Sequence, residues 1–190
     1  MKHTLLVLSI AAAGACASPP PERQLINDAA SALGGAARVT AVKSIVIQGS
    51  GTNGNLGQDM TPDATGQTFT VSDYTRTVDV ANRRVRIEQT RTPNFTYFQG
   101  PQPQKQVLGI DGDVGYNVAA NGNATRASEA VATDRKAEFY HHPITIVRAA
   151  LDPMVALANP RTLGSERIVD VTLGGMRPFT LAIDATSHLP

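Results

Sequence analysis

Apolar and polar residues alternate along several stretches of the chain, which is the pattern of a β-strand with one buried face. Near the end of the sequence, Phe179, Leu181 and Ile183 alternate with polar or small neighbours. In the stretch RRVRIEQTRT, Val85 and Ile87 alternate with arginine and glutamate. We predict a strand at each place, with one face in the core and the other in water.

Turn-forming residues separate further strand candidates. The stretches VKSIVIQGSGTNG and GQTFTVSDYTRTVDVA precede RRVRIEQTRT, and each is predicted to be a strand. The stretch KQVLGIDGDVGYNVA is predicted to form a hairpin that turns at Asp111-Gly112, because Asp-Gly is a strong signal for a two-residue turn. Towards the end, RTLGSERIVDVTLGG and MRPFTLAID are predicted to be two more strands, joined at Gly174-Gly175.

Three stretches carry the apolar spacing of helices. ERQLINDAASALGG is predicted to end at Gly34, SEAVATDRKAEFY is the second helix, and PITIVRAAL begins at Pro143 with His142 as its N-cap. The predicted order is one helix, four or five strands, helices and two strands. Strands that follow one another without regular helical crossovers predict an α+β fold, an antiparallel sheet with helices on one face.

Length and composition narrow the class of protein further. The chain has 190 residues, a net charge of +1, 42% hydrophobic and 5% aromatic residues, and no tryptophan. These values suit one folded domain. No basic stripe is interleaved with aromatic residues, so we expect no nucleic-acid partner.

The N-terminus has the composition of a bacterial secretory signal peptide, assigned to residues 1–17. Lys2 and His3 precede an apolar run from Leu5 to Ala13, which is too short to span a bilayer. We therefore predict export. Residues 18–21, which hold consecutive prolines, form an extended tether, and residues 22–190 form the folded domain.

Two modes of signal-peptide cleavage are open. The sequence AGAC can act as a lipobox, which would make Cys16 the lipidated first residue and anchor the protein on a membrane. Alternatively, Ala15-Cys16-Ala17 is an A-x-A site that would release a periplasmic chain beginning at Ser18. We favour lipidation, since Cys16 is the only cysteine. The same count excludes a disulfide within the chain.

The candidate metal ligands do not have the spacing of known metal sites. His141 and His142 are adjacent, so on a helix they point about 100° apart, whereas metalloprotease histidines are four residues apart. Asp111 and Asp113 begin a calcium-loop pattern, but Gly115 occupies the third-ligand position. The glycine stretches lack the Lys-Ser/Thr of a phosphate-binding loop, and G-x-S-x-G is absent. We predict no catalytic residue, metal ligand or cofactor in this chain.

Three stretches resemble a known family of exported bacterial proteins. ALGGAARVTAVKSIVIQGSG resembles its opening helix, link and first strand, PITIVRAAL its middle helix, and FTLAIDATSHLP its late strand and turn. Together they resemble the lipoprotein-carrier half-barrel (LolA/LolB-like) that is found in front of metallo-β-lactamase-fold hydrolases. The resemblance covers nearly all of residues 22–190.

The resemblance implies a sheet curved into a half-barrel and a non-catalytic module of an exported hydrolase. The hydrolase motif H-x-H-x-D-H is absent, so zinc ligands and the strands that would pair with Phe179–Ile183 are expected beyond Pro190. The alternative is a self-standing carrier, periplasmic or anchored on the outer membrane by a lipid. Its sheet would hold an acyl chain or apolar ligand against a set of ligand-facing residues, namely Phe179, Leu181, Ile183, Val85 and Ile87.

Overall fold

The fold is α+β with antiparallel strands, as the strand pattern predicts, but in the part of the chain that the structure describes the strands form two sheets where one was predicted. A computed structural model describes residues 18–55, 66–95 and 102–190. The predicted signal peptide and Cys16 lie outside the described residues. The helices are α1 (Pro21–Ala32), α2 (Ala36–Ala41), α3 (Glu129–Glu138) and α4 (Pro143–Ala150).

Two sheets form within the described residues. The first contains, in spatial order, β1 (Ser44–Asn55), β2 (Gln67–Asp79), β3 (Arg84–Pro93), β4 (Gln104–Asp111), β5 (Val114–Val118) and β6 (Ala124–Arg126). The second contains β7 (Ala156–Leu163), β8 (Glu166–Thr172) and β9 (Phe179–Asp184) in that order. Every strand pairs antiparallel with its neighbour in sequence inside its sheet, so no crossover connection is needed.

Two predicted boundaries were wrong, and two short elements were not predicted. RTLGSERIVDVTLGG is not one strand, because Gly164-Ser165 forms a two-residue turn between β7 and β8. The hairpin between β4 and β5 turns at Gly112-Asp113, one residue later than predicted, and Gly112 has φ +58°. The short elements α2 and β6 were not predicted. The described residues therefore contain six strands before helix α3 and three after α4, whereas four or five and two were predicted.

The first core cluster joins three helices to the three-stranded sheet. Leu25, Ile26, Ala29 and Ala30 form the buried stripe of α1, which ends where Gly35 N–H donates to the Ala30 carbonyl. The remaining members come from α2, α4 and the strands near β8 and β9: Val39, Ile146, Val147, Ala150, Val169, Val171, Leu173, Leu181 and Ile183. Val169 pairs with Leu181 in the ladder, so the apolar residues of β8 and β9 share one face.

The second core cluster lies on the six-stranded sheet. Its buried members are Val78, Val80, Val85, Ile87, Ile110 and Phe139. Helix α3 packs directly on β5 at Gly115, where an added Cβ would lie 3.1 Å from the Cα of Ala132. Arg135 reinforces this contact by donating to the Tyr116 carbonyl at 2.6 Å and to Asn117 Oδ1 at 2.7 Å. Tyr140 contacts both clusters and connects the two halves of the core.

Candidate functional site

A cleft of about 320 Å³ lies where the two core clusters meet. Its walls come from the β2–β3 turn, α3, the α3–α4 link, α4 and the β8–β9 loop. The lining residues are Val80, Arg83, Lys136, Phe139, Tyr140, Thr145, Arg148, Ala149, Asp152, Val155, Leu173, Gly174 and Met176. Apolar residues form the larger part of this set, but polar and apolar atoms are exposed to a similar extent, and most of the charged residues are cationic.

The aromatic part of the floor is held by packing on both sides. The rings of Phe139 and Tyr140 meet edge to face, with centroids 4.9 Å apart. Tyr140 also contacts Phe179 of β9 at 5.7 Å between centroids. Edge-to-face contacts of this length are favourable for aromatic pairs. The floor therefore has a defined shape before any ligand arrives.

Thr145 positions the link that carries these two rings. Its buried hydroxyl has one proton to donate, and two carbonyl oxygens lie within hydrogen-bond distance, that of Phe139 at 2.7 Å and that of His142 at 2.9 Å. His142 in turn begins α4, since its Nδ1 accepts a hydrogen bond from the Ile144 N–H at 3.2 Å. The predicted N-cap is confirmed. Burial, followed by the charge of Arg76, lowers the pKa of His142, which favours the neutral ring that this cap requires.

Arg23 of α1 supports the far side of the cleft. Its guanidinium donates to the Ala150 carbonyl, at the end of α4, and to the Val155 carbonyl at 3.3 Å. The last carbonyls of a helix have no partner inside the helix, so an arginine there satisfies them. The contact fixes the chain from Ala150 to Val155, which includes the lining residue Asp152.

Three cations lie at the rim of the cleft. Arg148 donates to the Val42 carbonyl at 2.6 Å, and Lys136 Nζ is 2.5 Å from Asp113 Oδ1. Arg83 lies at the same rim, in the left-handed conformation at φ +54°. The hydrogen bond from Lys136, then its charge and to a smaller degree that of Arg83, lowers the pKa of Asp113.

The turn that carries Arg83 is closed by Asp79. The carboxylate accepts hydrogen bonds from the Asn82 side chain at 2.7 Å and from its backbone N–H at 3.1 Å. These bonds, the one from the side chain first, lower the pKa of Asp79. A carboxylate that bonds backbone groups a few residues ahead is a common way of closing a turn. Arg83 is thereby held at the mouth of the cleft.

A second, shallower groove of about 480 Å³ runs along β1, at the edge of the six-stranded sheet. Ile47, Val71, Tyr74 and Gln89 line it together with the residues from Gln48 to Gly54. An added Cβ at Gly49 or Gly51 would meet no atom within 4 Å, so the glycines widen the groove.

The five residues predicted to face a ligand do not share one surface. Leu181 and Ile183 are buried in the first core cluster, whereas Val85 and Ile87 are buried in the second. Phe179 is half-buried and comes nearest to the cleft, through its contact with Tyr140.

The histidine and aspartate pairs have structural partners. His141 packs against Phe179, with ring centroids 6.0 Å apart. Asp111 bonds Arg84 at 2.7 Å across the β3–β4 ladder, while Asp113 bonds Lys136. Within residues 18–55, 66–95 and 102–190, no three His, Cys, Asp or Glu side chains are grouped so that they could hold a metal ion.

The sequence patterns did not predict the cleft. Lys136, Phe139 and Tyr140 are three and four residues apart, a spacing that places them on one side of a helix and its extension. That local signal was available. Their neighbours Val80 and Met176 are distant in sequence and meet them only in the fold.

Comparison with protein-family models, with curated proteins and with solved structures finds no match for this chain. Among the helices that the structure describes, none has the length and apolar character needed to cross a bilayer.

Proposed function

We propose that this chain is a non-catalytic, ligand-binding module of the bacterial cell envelope, and that its cleft holds an acyl chain or another apolar molecule. The observation that carries the proposal is the cleft between the two core clusters, where aromatic and aliphatic side chains from several elements meet. Its volume of about 320 Å³ lies at the lower end of the range of roughly 300–1,000 Å³ that is usual for small-molecule sites.

Several apolar side chains of the cleft are only partly buried by the protein itself. Tyr140, Ala149, Val155 and Met176 are intermediate in exposure, although all four pack against a core cluster. A ligand that removes their remaining apolar surface from water gains about 25 cal/mol for each Å². An alkyl chain suits such a site because it has no polar group to desolvate.

The curvature of the sheet forms part of the proposal. We propose that the six-stranded sheet bends as a half-barrel, which the resemblance implies. Two irregularities support bending: the register shifts between Gly49 and Gly51 in β1 and between Ser72 and Thr75 in β2. A β-bulge bends its strand and increases the local twist.

A dye-displacement experiment tests the binding function. The purified protein is titrated with an environment-sensitive apolar dye, and decanoate is then added as competitor. Ala149→Leu should fill part of the cleft and lower the dye affinity severalfold, because the larger side chain occupies ligand volume. Ala32→Leu, the same change at an exposed position at the end of α1, is the control. Saturable binding that Ala149→Leu leaves unchanged would place the ligand elsewhere, and no binding at all would refute the function.

A second candidate function is a positioning module in front of a metallo-β-lactamase-fold hydrolase. The observation that favours it is the position of β9 at one edge of the three-stranded sheet, where a further strand can pair. The reading frame after residue 190 tests this candidate. An H-x-H-x-D-H motif in that frame would support it, whereas a stop codon after one or two strands would contradict it. Zinc would then belong to the downstream domain.

We propose export as the location, with Cys16 as the lipidated residue and the chain up to Pro20 as a spacer, since Pro21 already begins α1. Acyl chains attached at Cys16 would hold the module at a membrane, and the outer membrane is the expected one. A periplasmic protein cleaved before Ser18 is the alternative.

A further inference from the structure

We infer that the ligand of the cleft is an amphiphile with an anionic head group, and that Lys136 and Arg83 bind this head in place of the Asp113 carboxylate. The inference rests on the proposed function, because it adds a head group to the apolar ligand of the same cleft. The head would lie at the rim of the cleft, and the alkyl chain would lie on the aromatic and aliphatic floor.

The charge of the cleft wall is the first observation. Arg83, Lys136 and Arg148 line the cleft, and Asp152 is the one acidic residue in the same set. The whole chain has a net charge of only +1, so this excess of cations is local. A cleft that is positive at its rim attracts anions and disfavours cationic ligands.

The second observation is that Arg83 and Lys136 lie together. Both residues also line a small adjoining cavity with Gly112, Phe139 and Tyr140. Both lower the pKa of the Asp113 carboxyl, Lys136 through a hydrogen bond and its charge, and Arg83 through its charge. Asp113 is thus held in an ion pair by Lys136 and lies within the electrostatic influence of Arg83.

Asp113 is suited to be displaced. Its side chain is 81% exposed and belongs to the two-residue turn between β4 and β5. An exposed ion pair contributes little to stability, since water competes for both charges. Lys136 is only 34% exposed, so its ammonium stays near the cleft when the partner changes. Arg148, by contrast, is engaged with the Val42 carbonyl and helps to hold the cleft wall in place.

The two cations fit a carboxylate or a phosphate head. A lysine ammonium binds such a group as a point charge, and an arginine guanidinium can offer two parallel N–H donors. Phe139 and Tyr140 lie in the same wall as Lys136, so a chain that leaves the head would reach the apolar floor at once. A fatty acid and an alkyl phosphate share this chemistry.

Titration calorimetry with ligands of equal chain length tests the head group. The affinities of octanoate, octyl phosphate and 1-octanol for the purified protein are compared at low salt. Acetate and inorganic phosphate are included as head groups without an alkyl chain. Octanoate or octyl phosphate should bind roughly tenfold more tightly than octanol, and the tighter of the two identifies the head. This preference should shrink at 0.5 M salt, where charges are screened within a few ångströms.

Charge variants provide the second arm. Asp113→Asn should raise the affinity for the anionic amphiphile roughly two- to fivefold, because the competing carboxylate is gone. Lys136→Gln and Arg83→Gln should each lower it roughly three- to tenfold. Arg167→Gln is the control, an exposed arginine on β8 that does not line the cleft. None of these changes should alter the affinity for octanol.

The outcomes separate this inference from the proposed function. Equal binding of octanol and octanoate, with no effect of Asp113→Asn, would overturn the anionic head and leave the apolar ligand standing. Acetate or inorganic phosphate binding as tightly as the long-chain ligands would overturn the amphiphile. If none of the alkyl ligands binds while the circular dichroism spectrum shows folded protein, the proposed function itself fails.

Discussion

Tyr116 of β5 lies across Gly109 of β4, its partner in the antiparallel ladder. A Cβ at Gly109 would be 2.5 Å from the Tyr116 hydroxyl oxygen and 2.2 Å from the carbonyl oxygen of Val85 on β3. The glycine thus allows the tyrosine ring to cover the sheet on the face opposite the second core cluster. The packing of β3, β4 and β5 at this place therefore requires a residue without a side chain at position 109.

Gly109→Ala should therefore destabilise the protein by about 1–3 kcal/mol, the usual cost of forcing extra atoms into a packed site. The measurement is the free energy of unfolding in urea. Gly51→Ala on β1 is the control, since its added Cβ meets nothing within 4 Å and its change should stay within about 1 kcal/mol. Equal losses in both variants would show that strand conformation matters here and the contact with Tyr116 does not.

Thr145→Val should reduce the free energy of unfolding by about 1–3 kcal/mol, because the buried carbonyl of Phe139 loses its 2.7 Å donor. It should also loosen the floor of the cleft and weaken apolar dye binding. Thr133→Val is the matched control on α3, where the exposed hydroxyl donates to the Glu129 carbonyl at 2.9 Å. A loss of about 0.5 kcal/mol or less is expected there. Wild-type stability in Thr145→Val would contradict the role given to this hydroxyl.

His142 should make stability depend on pH in the mildly acidic range. Its pKa is lowered in the fold by burial and by Arg76, so the unfolded chain binds the proton more readily than the native protein. The contribution of the neutral ring is then complete above the unfolded pKa of about 6.5, and it is lost as the pH falls through the lower native pKa.

His142→Asn replaces the capping Nδ1 by a side-chain amide oxygen, which also accepts at an N-cap but does not titrate. Urea unfolding between pH 7.5 and pH 5 should therefore show a smaller loss of stability in this variant than in the wild type. The lowered pKa values of Asp79, Asp113, Asp170 and Asp184 act in a different range. Their contributions are lost only as the pH falls below the unfolded value of about 3.9. Parallel curves for wild type and variant between pH 7.5 and pH 5 would refute the assignment.

Cys16→Ser should abolish lipid attachment. The wild type should partition into a detergent phase, and its N-terminal peptide should carry an acyl mass, since each buried CH₂ contributes about 0.8 kcal/mol to anchoring. The variant keeps an A-x-A-like site and should become soluble in the periplasm. An unmodified wild-type N-terminus at Ser18 would refute lipidation and leave export intact.

The sequence by itself determined the elements whose signals are local. Alternation of apolar residues located β3 and β9, Pro143 with His142 located the start of α4, and the Gly112 region located a hairpin to within one residue. These signals are local because they report backbone preference and the two faces of one element. The α+β class followed from the order of such elements.

Short elements escaped because their signals are weak. Helix α2 follows Gly35, an N-cap residue that has no side chain to accept a hydrogen bond, and β6 has only three residues. The Gly164-Ser165 turn lies inside a run whose apolar pattern predicts one strand.

The tertiary structure alone decided which faces meet. Alternation shows that Leu181 and Val85 each have a buried side, but not that they are buried in different clusters. In the same way, Arg83 and Lys136 are more than fifty positions apart in the chain and become neighbours because α3 packs on β4 and β5. Periodicity assigns each side chain to a face of its own element, whereas a cleft needs faces from several elements, and their packing depends on the whole core.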